Sequence, residues 1–443
     1  MNARALPLRE RLERARRVTL VFGRVYLRLR AQRFIARRIR PPDLERRWEE
    51  THETNAQEIH DAAVSLQGLI LKGCQFASAR ADLLPPAYSR VLGRLQDRVP
   101  PHRFETVRRQ VERELCRPLE SVFASFSEQP LAAASLAQVH AARLRSGAEV
   151  AVKVQYPEIA TLVRSDLANL RALFRAVGWL ERDFDLMPLV EELGATVPRE
   201  LDFRSEARNA ERIRRLFAGR KDLVIPQIHH GLTTRRLLVM ERVDGVKITE
   251  ARDALEGEAD LPLLMRGLVE IFAEMILVHG FFHADPHPGN LMVERGSGRL
   301  VLLDFGLAKE LPARFREKVL AFATALLQGE EESMGQALIA LGFETRDGRP
   351  ESLHEIASLL LRIAREIRRE GRVHPQEWAR LREELPERIR QNPIVRIPHH
   401  LVLVGRVLSL LVGLNAALGV RVDFLRALLP YAMGVAKPPR SCG

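Results

Sequence analysis

Apolar residues recur at helical spacing through most of this chain and give way to strand-like alternation at only a few places. From Val18 to Ile39 the residues Val18, Val21, Phe22, Val25, Leu29 and Ile35 fall between arginines, which predicts a basic amphipathic helix ended by Pro41-Pro42. Residues 43–104 read as helical up to Ala81, with breaks at Leu84-Pro85-Pro86 and Val99-Pro100-Pro101. The texture changes at Pro130. A small-residue run, Ala132-Ala133-Ala134-Ser135, is predicted as a loop leading into the strand Leu136–Ala141, and Ser146-Gly147-Ala148-Glu149 turns the chain back into Val150–Gln155. Glu200–Asn209 reads as one helix, and Leu237–Met240 as a strand leaving through Glu241-Arg242-Val243-Asp244 to a turn at Gly245. Residues 261–280 form an apolar helix that Gly280 ends, and the pattern is helical again from Arg314 onward.

Composition narrows this picture. At 443 residues with 46% hydrophobic content, the chain can bury a sizeable core and form two or three domains. The net charge is +12, but residues 1–40 hold thirteen arginines against Glu10 and Glu13, so the remainder is close to neutral. A basic block at one end is not the stripe along a fold that marks nucleic-acid binding, and no nucleic-acid partner is expected. The block suits an anionic membrane surface, or a solvated helix packed on its own domain. Cys74, Cys116 and Cys442 have neither the number nor the spacing of a disulfide framework or zinc site, which fits a reducing, cytoplasmic setting. His399–Val420 has the length to span a bilayer, but Arg406 interrupts it, and a charge there costs roughly 2.5–3.5 kcal/mol. A buried helix of the last domain is the expectation, with no transmembrane helix and at most peripheral attachment at an inner membrane.

The chemistry lies in the stretch Phe282-His283-Ala284-Asp285-Pro286-His287-Pro288-Gly289-Asn290, followed by Leu302-Leu303-Asp304-Phe305-Gly306. Asp285 and Asn290 have the spacing of the aspartate and asparagine in a kinase catalytic loop, and Asp304 opens a D-F-G. Phosphoryl transfer asks little covalent help of a protein. It needs metal held against the phosphates and a carboxylate near the incoming hydroxyl, which these three residues can supply. Upstream, Val150-Ala151-Val152-Lys153 resembles the kinase strand whose lysine holds the α- and β-phosphates. Glu206 is a candidate partner for Lys153, although Asp202 and Glu206 could equally serve Arg208 and Arg212 on the helix surface. Lys72 and Gln75, on periodicity alone, are helix-surface residues. Beyond Gly306 neither a peptide-docking loop nor an A-P-E is found.

In this order, the Ala-rich run, V-A-V-K, E-L-D-F-x-x-E-A, F-F-H-A-D-P-H-P-G-N and L-D-F-G resemble the UbiB/AarF family of atypical protein-kinase-like proteins, which has mitochondrial and plastid members linked to quinone and lipid metabolism. The resemblance implies an α+β, bilobal protein-kinase-like fold with a basic segment at 1–42, a helical KxGQ-type extension at 43–104, an N-lobe at 105–245 and a largely helical C-lobe at 246–443. It implies ATP and Mg²⁺ as cofactors. Lys153, Glu206 and Asp285 take the catalytic positions, Asn290 and Asp304 the metal positions. Ala132, Ala133, Ala134 and Ser135 with Lys153 meet the phosphates, and Met240, Glu241 and Val243 the adenine. Lys72 and Gln75 match the KxGQ motif, and Glu200 and Asp202 the ExD motif; the lysine is expected to reach those carboxylates over the site where a peptide would otherwise sit. Cys74 stands where the family has glycine, and cysteine cannot replace a glycine needed for positive φ or close approach. Either Gly73 takes over that role or the lid packs differently.

The expected activity is ATP hydrolysis or phosphoryl transfer to a lipid-like or quinone-precursor molecule, with partners in a biosynthetic complex. Two alternatives stand beside it: a small-molecule kinase of the aminoglycoside or choline kinase type, and a nucleotide-switched lipid-binding scaffold without phosphotransfer.

Overall fold

A computed structural model describes residues 8–39, 41–78, 84–96, 101–180, 187–255, 260–346, 348–349, 351–358, 361–362, 394–396 and 398–434. The chain divides into two compact units, Met1–Glu211 with Pro226–Val243, and Arg212–Ile225 with Asp244–Gly443.

The first unit opens with four helices, α1 (Leu8–Arg38), α2 (Leu44–Leu66), α3 (Gly68–Ser78) and α4 (Pro86–Leu92). The basic helix α1 starts earlier than its periodicity indicates and packs by one face. Val18 and Val25 are buried there with Phe22 and Leu29 beside them, and Arg14 reaches across to the fully buried Asp166 at 2.7 Å. Burial pushes the Asp166 carboxyl above its ordinary range, and the Arg14 guanidinium offsets this only in part. Arg24 also pairs with Glu58 of α2 at 3.0 Å. The outer face of α1 keeps Leu20, Leu27 and Phe34 at 48%, 64% and 62% exposure.

Two successive residues of positive φ, Gln67 (52°) and Gly68 (61°), break α2 from α3. At Gly68 a β-carbon would sit 3.4 Å from Ile159 Cδ1 in a conformation that side chains rarely adopt, so this is where glycine is needed. Neither Gly73 nor Cys74 has positive φ. Gly73 therefore takes over no positive-φ role: helix α3 is regular at that point, and the cysteine side chain is buried in the core. Full desolvation pushes its thiol up to about 12, so it is protonated and inert at neutral pH. Iodoacetamide at pH 8 is expected to alkylate the exposed Cys116 of the native protein and to reach Cys74 only after denaturant is added; peptide mass spectrometry checks both.

Helices α5 (Phe104–Leu115) and α6 (Leu119–Val122) lead into a sheet of β1 (Phe123–Ala133), β2 (Ala137–Leu144), β3 (Glu149–Gln155) and β5 (Leu237–Glu241). It is antiparallel throughout, in the order β1-β2-β3-β5, so the strand carrying Met240 and Glu241 is an edge strand. Alternation on β3 sends Val150, Val152 and Val154 into a core with Val107 and Val111 of α5, leaving Lys153 on the opposite face. The lysine between valines is therefore not a buried anomaly but the other side of a two-residue period. Helices α7 (Ile159–Leu180), α8 (Met187–Glu200) and α9 (Phe203–Leu216) follow. Leu167, Phe174, Val190 and Leu193 of α7 and α8 share one core with α1–α4, so hydrophobic packing crosses the boundary drawn at residue 104.

Two expectations need correction here. The Ala-rich run is only partly a loop: Ala132 and Ala133 pair with Val139 and Gln138 as the end of β1, and only Ala134 to Leu136 separate the strands. Alanine completes a ladder readily where glycine would have favoured a turn. Likewise Glu200–Asn209 is not one helix. The chain leaves the helix at Leu201-Asp202, where Asp202 Oδ1 accepts from Arg204 N (3.1 Å) and the Leu201 carbonyl accepts from Gln155 Nε2 (2.9 Å).

The second unit holds β4 (Leu223–Val224), β6 (Gly245–Lys247), β8 (Leu291–Glu294) and β9 (Leu300–Leu302) in a sheet ordered β4-β9-β8-β6, and a two-stranded ribbon of β7 (Phe281–His283) with β10 (Ala308–Glu310). Gly245 is required: a β-carbon there would lie 2.6 Å from the Val293 carbonyl oxygen. Its helices are α10 (Ala251–Ala254), α11 (Leu261–Ala273), α12 (Phe315–Gln328), α13 (Glu331–Leu341), α14 (351–358), α15 (His399–Ala417) and α16 (Phe424–Ala432), with β11 (Glu344–Thr345) and β12 (Ile394–Arg396) as a small ribbon. Helix α11 ends in a π-helical turn, Glu274–His279, closed by Gly280 at φ 61°. The start of α12 at Phe315 matches the short segment read after Gly306.

Helix α15 was expected to be buried, and it is not. It buries one stripe, Leu403, Val407, Leu411 and Leu414, while Val412 is 53% exposed. Within the 18-residue window His400–Ala417, long and apolar enough to cross a membrane by length and composition, 22% is buried. Arg406 in its middle has a partner described below.

Candidate active site

In the first unit, Lys153 Nζ donates to both carboxylate oxygens of Glu206, at 2.8 and 3.0 Å, and the two side chains are 12% and 5% exposed. Glu206 reaches this point because α9 restarts at Phe203 after the Leu201-Asp202 break, which puts it on the first turn facing the sheet. The surface-pair alternative for Glu206 is thus overturned, and Arg208 bonds Ser205 Oγ instead (2.8 Å). The ring of Phe203 adds a cation–π contact, its centroid 5.1 Å from Lys153 Nζ. Ser135 is buried in the β1–β2 turn, whose Ala134 carbonyl accepts from the Tyr156 hydroxyl at 3.1 Å. On the edge strand, Leu238 lies opposite Lys153 and Met240 opposite Ala151. The amides of Glu241 and Arg242 already donate to the Gln227 and Glu149 carbonyls, at 2.8 and 3.1 Å.

The other candidates of this unit have local duties. Gln75 Nε2 donates to the Leu95 carbonyl at 2.9 Å, tying α3 to the turn after α4. Lys72 is half-buried on the same helix. Asp202 caps α9. The Glu200 side chain, and with it the expected Lys72–Glu200 pairing, lies outside the described residues.

In the second unit, Asp285, Asn290 and Asp304 are drawn together by a buried histidine. His283, fully buried between the rings of Phe272 and Phe305, accepts from the Asp285 amide through Nδ1 (3.1 Å) and donates from Nε2 to the Leu303 carbonyl (3.1 Å). One ring thus links the catalytic loop to the residue before Asp304. Leu303 N in turn donates to the Asn290 carbonyl (2.9 Å), and Asn290 Nδ2 to the Asp285 carbonyl (3.1 Å), which directs the Asn290 amide oxygen away from the loop. Asp304 is held left-handed, at φ 54°, with its Oδ1 accepting from Gly306 N at 3.2 Å. A non-glycine residue kept there costs on the order of 1–3 kcal/mol, and such strain gathers at functional positions.

This donor set fits Mg²⁺. Among the described residues no group of three or more His, Cys, Asp or Glu could hold a metal by itself. One carboxylate and one amide oxygen are the sparse, hard ligands Mg²⁺ takes when phosphate oxygens and water complete its shell.

Reading motifs alone missed three features. Arg406 of α15 donates from Nη2 to Asp285 Oδ1 at 2.8 Å, the pair being 18% and 28% exposed. The charge that spoiled a membrane span was the available signal. A second buried network stands behind the catalytic loop. Arg220, 9% exposed, pairs with Asp222 (2.6 Å) and with Glu274 (2.9 Å), whose side chain is 1% exposed and also meets His279 Nε2 at 3.2 Å. Burial pushes the Glu274 carboxyl up, but the hydrogen bonds from His279 and Arg220 outweigh it and hold it below the ordinary range. Third, Arg212 lies over the Phe281 ring at 3.9 Å and pairs with Glu310 at 2.9 Å, bracing both strands of the β7–β10 ribbon.

Residues 94–338 match the model of the ABC1 atypical kinase-like domain, more than half of the chain. AarF domain-containing protein kinase 1 of Xenopus tropicalis is 35% identical over 289 residues, 64% of this chain and 55% of that protein. Protein ACTIVITY OF BC1 COMPLEX KINASE 8, chloroplastic, of Arabidopsis thaliana is 32% identical over 391 residues, 82% of this chain and 51% of that protein. The chain thus spans about half the length of these relatives. A structure of Rv3197 from Mycobacterium tuberculosis in complex with erythromycin shares the fold, with a TM-score of 0.60 over 86% of this chain and 96% of that one at 23% identity. With its α+β kinase-like fold and a family match across both the Lys153–Glu206 pair and the Asp285–Asp304 segment, this chain belongs to the ABC1 atypical kinase-like family, whose AarF and UbiB branches its motifs resemble.

Proposed function

We propose that the chain is a Mg²⁺-dependent ATP-using enzyme, an ATPase or phosphotransferase, that acts in quinone or isoprenoid-lipid metabolism and not on proteins. The Lys153–Glu206 pair carries this reading, because a lysine fixed by a carboxylate on the face of β3 opposite the valine core presents one oriented positive charge. Lys153 would hold the α- and β-phosphates and the Ser135 backbone amide would meet them, the Ala134 amide being engaged by the Ala137 carbonyl at 2.8 Å. Met240, Glu241 and Val243 would meet the adenine, through carbonyls and the Val243 amide, since the Glu241 and Arg242 amides are engaged. Asn290 and Asp304 would hold Mg²⁺, which neutralises phosphate charge when bound. Asp285 would position the acceptor hydroxyl or a water. The eight residues between Gly306 and Phe315 are too short for the loop with which protein kinases dock peptides, which favours a small or lipid-like acceptor. Exposed Leu20, Leu27 and Phe34 among the arginines of α1 support attachment to an anionic membrane surface.

One observation favours a second reading. Asp285, the residue that would orient an acceptor, is held in an ion pair by Arg406, as suits a protein whose nucleotide acts as a switch. ATP hydrolysis by the purified wild type, present in the first reading and absent in the second, separates the two, and a lipid and quinone-precursor profile of a deletion strain complemented with wild type or Asp304→Asn tests the first. The enzyme reading expects precursors to accumulate and only wild type to clear them; equal clearing by both would reject it.

A further inference from the structure

Helices α1–α4, α7 and α8 line a partly open cavity of about 170 Å³ in the first unit. Its wall is apolar, with Phe22, Ile70, Leu92 and Phe174 among the lining residues, and Gly73 and Cys74 of α3 forming part of it. Protein cores close such voids, and an apolar one of this size accepts a hydrocarbon. Charge enters from α1, in addition to the polar Cys74 thiol of α3 and Tyr88 hydroxyl of α4. Tyr26, Arg30 and Arg33, at helical spacing on α1, line the cavity, and both arginines are exposed, so they mark its mouth. Arg30 Nη1 donates to the Tyr26 hydroxyl at 3.3 Å, which holds that guanidinium at the rim.

An apolar interior with cations at the opening selects an amphiphile: one hydrocarbon chain, too narrow a space for two, ending in an anionic group. The same helix turns Leu27 and Phe34 outward beside those arginines. A bilayer surface would therefore meet α1 where the cavity opens.

We infer that this cavity is a binding site for a single hydrocarbon chain with an anionic head, drawn from a membrane, the head on Arg30 and Arg33 and the chain among α1, α3, α4 and α7. Its bilayer source rests on the membrane-surface reading above; the cavity itself does not, and neither depends on nucleotide chemistry. Because Gly73 and Cys74 line it, an occupant would brace the helix that carries Lys72 and Gln75.

Calorimetry on the full chain, without nucleotide, tests the cavity with decyl phosphate, decanol and inorganic phosphate. Decyl phosphate is expected to bind one to one, decanol at least tenfold more weakly, and inorganic phosphate not measurably. Arg30→Glu with Arg33→Glu, both at the surface, should weaken decyl phosphate at least tenfold and leave decanol unchanged. Ala77→Phe, which fills the cavity, should weaken both. Binding of decyl phosphate unchanged by the arginine substitutions, or matched by inorganic phosphate, would overturn the site. Flotation with phosphatidylglycerol vesicles tests the source: loss of flotation in Leu27→Glu with Phe34→Glu, with decyl phosphate still bound, supports it, and undiminished flotation overturns the bilayer source alone.

Discussion

Asp304→Asn is expected to lower ATP turnover by on the order of 10²–10³-fold while leaving the apo protein as stable as wild type. The asymmetry follows from what each atom of that side chain does. Asparagine tolerates left-handed φ better than most residues, and its amide oxygen can still accept from Gly306 N, so the φ of 54° and the local turn survive. What disappears is the negative charge on the one carboxylate of the proposed metal pair. Steady-state kinetics with a matched melting curve checks both halves. A variant that melts early would mean that the carboxylate is structural, and one with undiminished turnover would remove Asp304 from the mechanism.

Arg220→Met is the substitution with the largest expected effect on stability. Glu274 is 1% exposed, and removing its guanidinium partner leaves a buried carboxylate with only His279, at a cost of about 3–5 kcal/mol. Lysine should not restore it, since Arg220 serves Asp222 through two nitrogens and Glu274 through a third. The pH dependence has a definite sign. Glu274 and Asp222 both have carboxyls held below their ordinary values of 4.5 and 3.8, Asp222 chiefly by the hydrogen bond from Arg220. Their stabilisation is therefore complete above those values and is lost as pH falls through the lower folded ones. The deficit of the variant should be full at pH 7 and shrink below about pH 4.5, a trend that urea unfolding across pH 3–7 would follow. Because Glu274 lies on the π-helical turn just before β7, the same variant should lose activity as the catalytic loop loosens.

Much of this site could be read from the chain itself, for a physical reason. Asp285, Asn290 and Asp304 are close in sequence, so the spacing that the chemistry requires is written almost contiguously, and β3 advertises Lys153 by its two-residue period. Glu206 was harder, because an Arg-rich helix offers a carboxylate many plausible partners, and only the break at Leu201-Asp202 turns it toward the sheet. The Arg406–Asp285 pair showed only through its lone charge: 121 residues separate the two, and an arginine in an apolar helix resembles a flaw in a membrane span until its partner is seen. The Ala-rich run misled in the opposite direction. Small residues suggested a loop, whereas pairing with Val139 and Gln138 makes the first two the end of a strand. Cys74 shows how a motif's glycine can carry no conformational meaning, since α3 is regular there and the side chain has a core to enter.

The proposed function requires a bound Mg²⁺–nucleotide, with Asn290 and Asp304 as the proposed metal ligands. The most direct measurement is the melting temperature of the purified full chain with ATP, with Mg²⁺, with both and with neither. Binding to the folded state alone stabilises it by about 2.7 kcal/mol at a hundredfold excess over Kd. The account predicts a rise of several degrees only when both are present, sharply reduced in Asp304→Asn. A wild-type protein whose melting temperature is indifferent to Mg²⁺ and ATP together would contradict it.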